Sequence, residues 1–115
     1  MTKNEVLSFV QSVKPHDFED AIMLRWLDEL EKKIACEIHS RYAREEAFLG
    51  LGPDQLSVAA PYDKIYWTYL VSMIELAKGT PESYEFANRV FKEAYTEYAR
   101  HVQRRGGLGR RRVYR

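Results

Sequence analysis

Residues 61–102 read PYDKIYWTYLVSMIELAKGTPESYEFANRVFKEAYTEYARHV, and this stretch decides the fold. Ile65, Tyr66, Tyr69, Leu70, Met73, Leu76 and Ala77 recur at helical spacing and predict one broad apolar face. After Gly79 a second stripe follows, formed by Tyr84, Ala87, Phe91, Ala94, Tyr95, Tyr98 and Val102. Gly79 suits the left-handed position just past a helix end, and Tyr62-Asp63 the cap at its start. Thr80 is then the next N-cap, Pro81 the first helical residue and Glu82 an acid facing the positive helix end. So short a junction turns the helices back antiparallel. The stretch predicts a helical hairpin.

Working towards the N-terminus, residues 45–61 lose this period. Gly50, Gly52, Pro53 and Pro61 break helices, and Leu56 to Ala60 suit an extended segment. A connection of this length in a small domain is often functional. Before it, Ile22, Trp26, Leu27, Leu30, Ile34 and Ile38 predict a long amphipathic helix over about 18–44, with Asp17 as its cap. Thr2 and Glu5 have capping-box spacing, and Val6, Phe9, Val10 and Val13 follow them up to Pro15. That gives a first helix over about 3–13. The expected fold is all-α: four helices, the long second one packed on the C-terminal hairpin, with a long central loop.

Beyond Val102 the run Gly106-Gly107-Leu108-Gly109 is expected to end the last helix and leave a tail disordered in isolation. Residues 1–103 then form one domain and 104–115 a basic tail. Charge follows the same division. The net charge is +1, yet residues 100–115 hold seven arginines and no acid, leaving 11 basic and 17 acidic groups before them, a balance of −6. An acidic body ends in a +7 segment. The opening MTKNEVLSFV lacks a long apolar run behind a basic start, so no signal peptide is expected, and no uncharged run is long enough to span a membrane.

Candidate chemistry is sparse. His16, His39 and His101 lie in separate segments without metal-ligand spacing, and read as surface or capping histidines. Cys36 excludes an internal disulfide and reads as a buried, inert thiol. Acids such as Asp17, Glu19, Asp20, Glu45 and Glu46 suit solvated helix faces, since a catalytic pair needs a cleft that separates two pKa values. No catalytic, cofactor or metal site is expected, and the chain does not read as an enzyme. Six of its eight tyrosines lie between Tyr62 and Tyr98. Helical spacing makes them core first, but a ring with one wet end also suits subunit contacts.

The arginine segment admits three readings. It is a nucleic-acid arm, a peptide that docks on an acidic protein surface, or a solubilising end. Leu108, Val113 and Tyr114 among the arginines favour docking.

Pro61-Tyr62-Asp63-x-x-Tyr66, the helix through Tyr69-Leu70 to Gly79, and Tyr84-x-x-x-Asn88 leading to Tyr95 resemble a known family. It is the small all-helical head–tail connector (adaptor, or head-completion) proteins of tailed phages and prophages. Trp26-Leu27-x-x-Leu30-Glu31-x-x-Ile34 extends the resemblance, which covers roughly 18–102 and leaves out the first helix and the tail. It implies a homo-oligomeric, dodecameric ring beneath the portal protein, with packaged DNA passing through it and a neck or tail protein below. It implies a virion protein made in the bacterial host cytoplasm, with no catalysis, cofactor or membrane. On this reading Arg104, Arg105, Arg110, Arg111, Arg112, Tyr114 and Arg115 meet the portal or DNA. Leu51 and Leu56 of the central loop meet neighbouring subunits. The rival expectation is a small nucleic-acid-binding protein using the same tail.

Overall fold

The computed structural model describes residues 2–38 and 55–114, and of residues 105–114 the backbone alone. The described residues are all-α. Four helices run α1 (Lys3–Val13), α2 (Asp20–Glu37), α3 (Lys64–Lys78) and α4 (Pro81–Tyr114). The one β-type pairing among them is an isolated bridge between Thr2 and Gln55.

α1 begins as its local sequence dictates. The Glu5 amide donates to Thr2 Oγ1 at 3.2 Å, and the Thr2 amide donates back to Glu5 Oε1 at 3.0 Å. These bonds satisfy two orphan donors and hold the Glu5 carboxyl below its ordinary range, the Thr2 amide being the larger cause. Val6 and Val10 are buried, whereas Val13 of the expected stripe is half exposed at 51%. Phe9 sits at the edge, its ring 5.1 Å from that of Trp67 in a T-shaped contact.

α2 starts later than the acids before it suggest. Asp17 does not cap it; Glu19 stands at the cap and makes no side-chain bond there. The cause lies in Phe18. Its ring packs edge-on against Trp26 at 5.4 Å, Lys78 lies over it at 4.8 Å, and its amide donates to His16 Nδ1 at 3.1 Å. These contacts hold the residues before Asp20 out of the helix, and Asp17 faces Lys78 at 3.8 Å. The buried seam is Met23, Leu27, Leu30 and Ile34, so Met23 takes the place expected of Ile22, which is 39% exposed. The expected continuation to residue 44 falls outside the described residues.

α3 is the centre of the molecule, because α1, α2 and α4 all pack on it. Ile65, Tyr66 and Leu70 are fully buried and Ile74 nearly so. Burial on several sides also takes in Thr68 and Ser72. Their hydroxyls donate to their own helix, to the carbonyls of Lys64 and Tyr69, both at 2.7 Å. Leu76, expected on the apolar face, is 58% exposed instead, since the 66–70–74 row carries the contact.

The hairpin turn forms where expected, for a different reason at Gly79. Its backbone is extended (φ −90°, ψ −175°), not left-handed. What excludes a side chain is crowding. A Cβ would lie 2.7 Å from Ser83 Oγ, 2.8 Å from the Glu75 carbonyl oxygen, and against Glu75 Oε2. Thr80 caps α4 as expected, accepting from the Ser83 amide at 3.1 Å, while its own amide donates to Ser83 Oγ at 3.0 Å.

Glu75 itself is 6% exposed and joins three elements. It is ion-paired with Lys14 at the end of α1 and hydrogen-bonded to Ser83 in the first turn of α4. The Lys14 bond, with Ser83 second, holds its carboxyl below the ordinary range. A carboxyl lowered by folding contributes stability above its unfolded value near 4.5, and that stability is lost as pH falls through the folded value. Glu75→Gln is expected to lose about 1–2 kcal/mol at neutral pH and to unfold with a shallower acid dependence below that value. Urea titrations at several pH values measure both.

α4 buries Ala87, Phe91, Ala94 and Tyr98, in the expected stripe. It does not stop at Gly106. The helical backbone passes through the glycines to Tyr114, so the segment expected to be disordered is instead the end of a helix of 34 residues. Each of the three glycines, Gly106, Gly107 and Gly109, costs a helix about 1 kcal/mol relative to alanine. Leu108 within that run and the arginines flanking it are strong helix formers, and cations complement the negative C-terminal end of the helix dipole. At 1.5 Å per residue α4 is about 51 Å long, which matches the 52 Å long axis of the molecule.

Candidate docking site

The candidate site lies where α4 leaves the packed body. Tyr62, before α3, stacks on His101 with ring centroids 4.5 Å apart and planes 23° from parallel. Tyr98 completes the group, 5.7 Å from Tyr62 and 6.4 Å from His101. Val102 is the last of the described α4 side chains to pack on the core, and Gln103 and Arg104 are exposed. An aromatic clamp therefore fixes the point from which the basic segment departs.

Arg100 and Arg104 are both exposed on α4. Arg105, Arg110, Arg111, Arg112 and Tyr114 lie on its helical backbone, their side chains outside what the structure describes, as is Arg115 altogether. Backbone geometry thus carries five of the seven expected tail residues on the same rod as Arg104. Of the loop residues, Leu51 lies outside the described residues.

Leu56 corrects an expectation. It is 4% exposed and belongs to the core of its own chain, with Val58 fully buried beside it, so its side chain is not offered to a neighbour. A polar staple holds the segment in. Ser57 donates to Glu31 through its amide (3.0 Å) and its hydroxyl (2.9 Å). The Tyr66 hydroxyl donates to Glu31 Oε1 at 2.6 Å and accepts from the Val58 amide at 2.8 Å. Burial first, then the Glu31 charge and hydrogen bond, push ionisation of Tyr66 far above its ordinary value. Sequence reasoning placed Glu31 only in a helix pattern. Beside Asp28, Glu29, Lys32 and Lys33 it looks like any other charge of a solvated helix face, and no local signal marks it.

Tyr95 and Tyr69 also find partners. Tyr95 donates to Glu37 Oε1 at 2.5 Å, tying α4 to the end of α2, and Lys33 lies over its ring at 5.6 Å. That bond holds Glu37 below its ordinary range, while burial first and Glu37 next raise Tyr95. Tyr69 packs on Phe91 at 5.0 Å and is raised chiefly by burial. Tyr66 and Tyr98 are core, and Tyr62, Tyr69, Tyr84 and Tyr95 are half-buried.

Residues considered for chemistry are dispersed. His16 accepts from Phe18, His101 stacks on Tyr62, and His39 lies outside the described residues. Cys36 is exposed rather than buried, because it falls two residues past Ile34 and off the α2 seam. Among the described residues no group of three His, Cys, Asp or Glu side chains is placed to hold a metal. A depression of about 330 Å³ between the α1–α2 connection and α3 is lined by Lys14, His16, Asp17 and Lys78, among others. Its charges already pair, Lys14 with Glu75 and Lys78 with Asp17. No helix among the described residues is long and apolar enough to cross a membrane. Comparison with family models, curated sequences and solved structures finds no match to this chain.

Proposed function

We propose that this protein is a structural connector of a tailed-phage head–tail interface, assembling as a ring on the portal and linking the DNA-filled head to the neck or tail. The observation that supports it best is the continuity of α4. One helix supplies the core stripe Ala87, Phe91, Ala94 and Tyr98 and then carries the arginines beyond the body. Scaffold and docking arm are a single element, so a load on the arm is delivered directly into the core. The acidic balance of the body suits a channel wall that repels phosphates and does not grip passing DNA. On this reading the arm forks its guanidinium groups onto carboxylates of the portal, and a ring multiplies many weak contacts. The work is assembly rather than catalysis.

Removing residues 104–115 is expected to abolish co-sedimentation with portal-bearing heads while leaving the helical circular-dichroism signal of residues 1–103 in place. Undiminished attachment of the truncated chain overturns the docking arm.

The +7 charge of residues 100–115 also favours a second reading, a small nucleic-acid-binding protein. Tight binding of the free chain to duplex DNA, weakening steeply with salt in a mobility shift, selects that reading over the connector.

A further inference from the structure

Glu93, Glu97, Arg100 and Arg104 are spaced by four, three and four residues, and all four are exposed. At about 100° per residue they share one face of α4, roughly 120° round the helix from the core stripe. Their order is two acids followed by two bases. Within one chain the neighbours on this face offset one another: Glu93 and Glu97 are like charges at i,i+4, as are Arg100 and Arg104, while Arg89 and Glu93 at i,i+4 and Glu97 and Arg100 at i,i+3 are opposite. Glu93, Arg100 and Arg104 have no ion partner among the described residues. Glu97 meets Lys64 at 3.0 Å through Oε2.

We propose that this face of α4 pairs antiparallel with the same face of a second copy of the chain. A two-fold axis between Tyr98 and Ala99 sets Glu93 against Arg104 of the second copy and Glu97 against its Arg100. Symmetry repeats both pairs, giving four. A parallel pairing in register sets like against like and is excluded by charge. The contact is isologous and closes at two copies, so it differs from a head-to-tail ring contact and stands apart from the connector reading. Exposed ion pairs are individually weak and screened by salt, which makes this association a low-salt property.

The test is sedimentation velocity of the full chain. At about 0.01 M salt, where the screening length is roughly 30 Å, the wild type sediments as a dimer; at about 1 M, where it is roughly 3 Å, it sediments as a monomer. Glu93→Arg/Glu97→Arg and Arg100→Glu/Arg104→Glu each sediment as monomers at low salt. Mixed in equal amounts, they form a heterodimer at least tenfold tighter than the wild-type dimer. A wild type that is monomeric at low salt, or dimeric regardless of salt, overturns the proposal without any substitution. So does a mixture of the two folded variants that stays monomeric.

Discussion

Leu70→Ala is expected to lower the free energy of unfolding by about 3 kcal/mol, within the roughly 2–5 kcal/mol span of buried leucines. Leu70 is fully buried at the middle of α3, the helix on which the other three pack. The cavity left there has walls from several elements, so little of it can collapse. The loss should appear as one cooperative transition at lower urea, with the slope of free energy against urea unchanged. Phe86→Ala is the contrast: that ring is 66% exposed, and its removal should change stability by no more than about 0.5 kcal/mol. A Leu70→Ala cost as small as that of Phe86→Ala would contradict α3 as the centre of the core.

Tyr66→Phe should cost about 2 kcal/mol although it removes a single oxygen. That oxygen bridges the Val58 amide and the Glu31 carboxylate, and without it a buried amide next to the core has no acceptor. The same variant carries a pH signature. Tyr66 ionises far above its ordinary value of 10 when folded, so between that value and the folded one the unfolded chain binds fewer protons. Stability therefore falls as pH rises past about 10, by up to about 1.4 kcal/mol per pH unit from this residue. Below that pH the residue contributes no slope. Tyr66→Phe should be less stable at neutral pH and lose stability less steeply in alkali, read by urea unfolding at pH values on either side of 10. Parallel alkaline limbs for the two proteins would show that Tyr66 ionises freely in the fold.

Some of this was open to reading from the chain alone. The α1 capping box and the Thr80-Pro81 start of α4 are local devices, complete within four residues, so the sequence displays them whole. The α4 stripe is legible because its spacing leaves one row of large and small apolar residues with charges elsewhere. What periodicity cannot supply is which of two adjacent rows wins. Ile22 and Met23 are both apolar, and only the position of α3 selects Met23. Gly79 suggests a left-handed cap by its type, yet its need arises from Glu75 and Ser83 crowding in from two helices. Glu31 and Glu75 look like surface acids because their partners are 26 to 35 residues away for Glu31 and 61 for Lys14–Glu75 by sequence number. Leu56 reads as a loop residue, since nothing nearby in sequence shows that Glu31 and Tyr66 draw its segment inward. At the arm, the glycine run reads as a stop because each glycine is judged singly. The helical preference of Leu108 and the flanking arginines and the dipole at the helix end act together.

The unbroken backbone of α4 gives the basic segment a phase. A hinge at the edge of the body would let the arginines face any direction; a helix fixes their bearing about the axis relative to Tyr98 and Val102. One residue added between Val102 and Arg104 would turn everything beyond it by about 100° and advance it by about 1.5 Å. Seven added residues would bring the bearing back to within about 20° while moving the tip outward by about 10 Å. Direction and reach of the arm are thus separate quantities in this chain, one set by the remainder of its length over the helical turn and the other by the length itself.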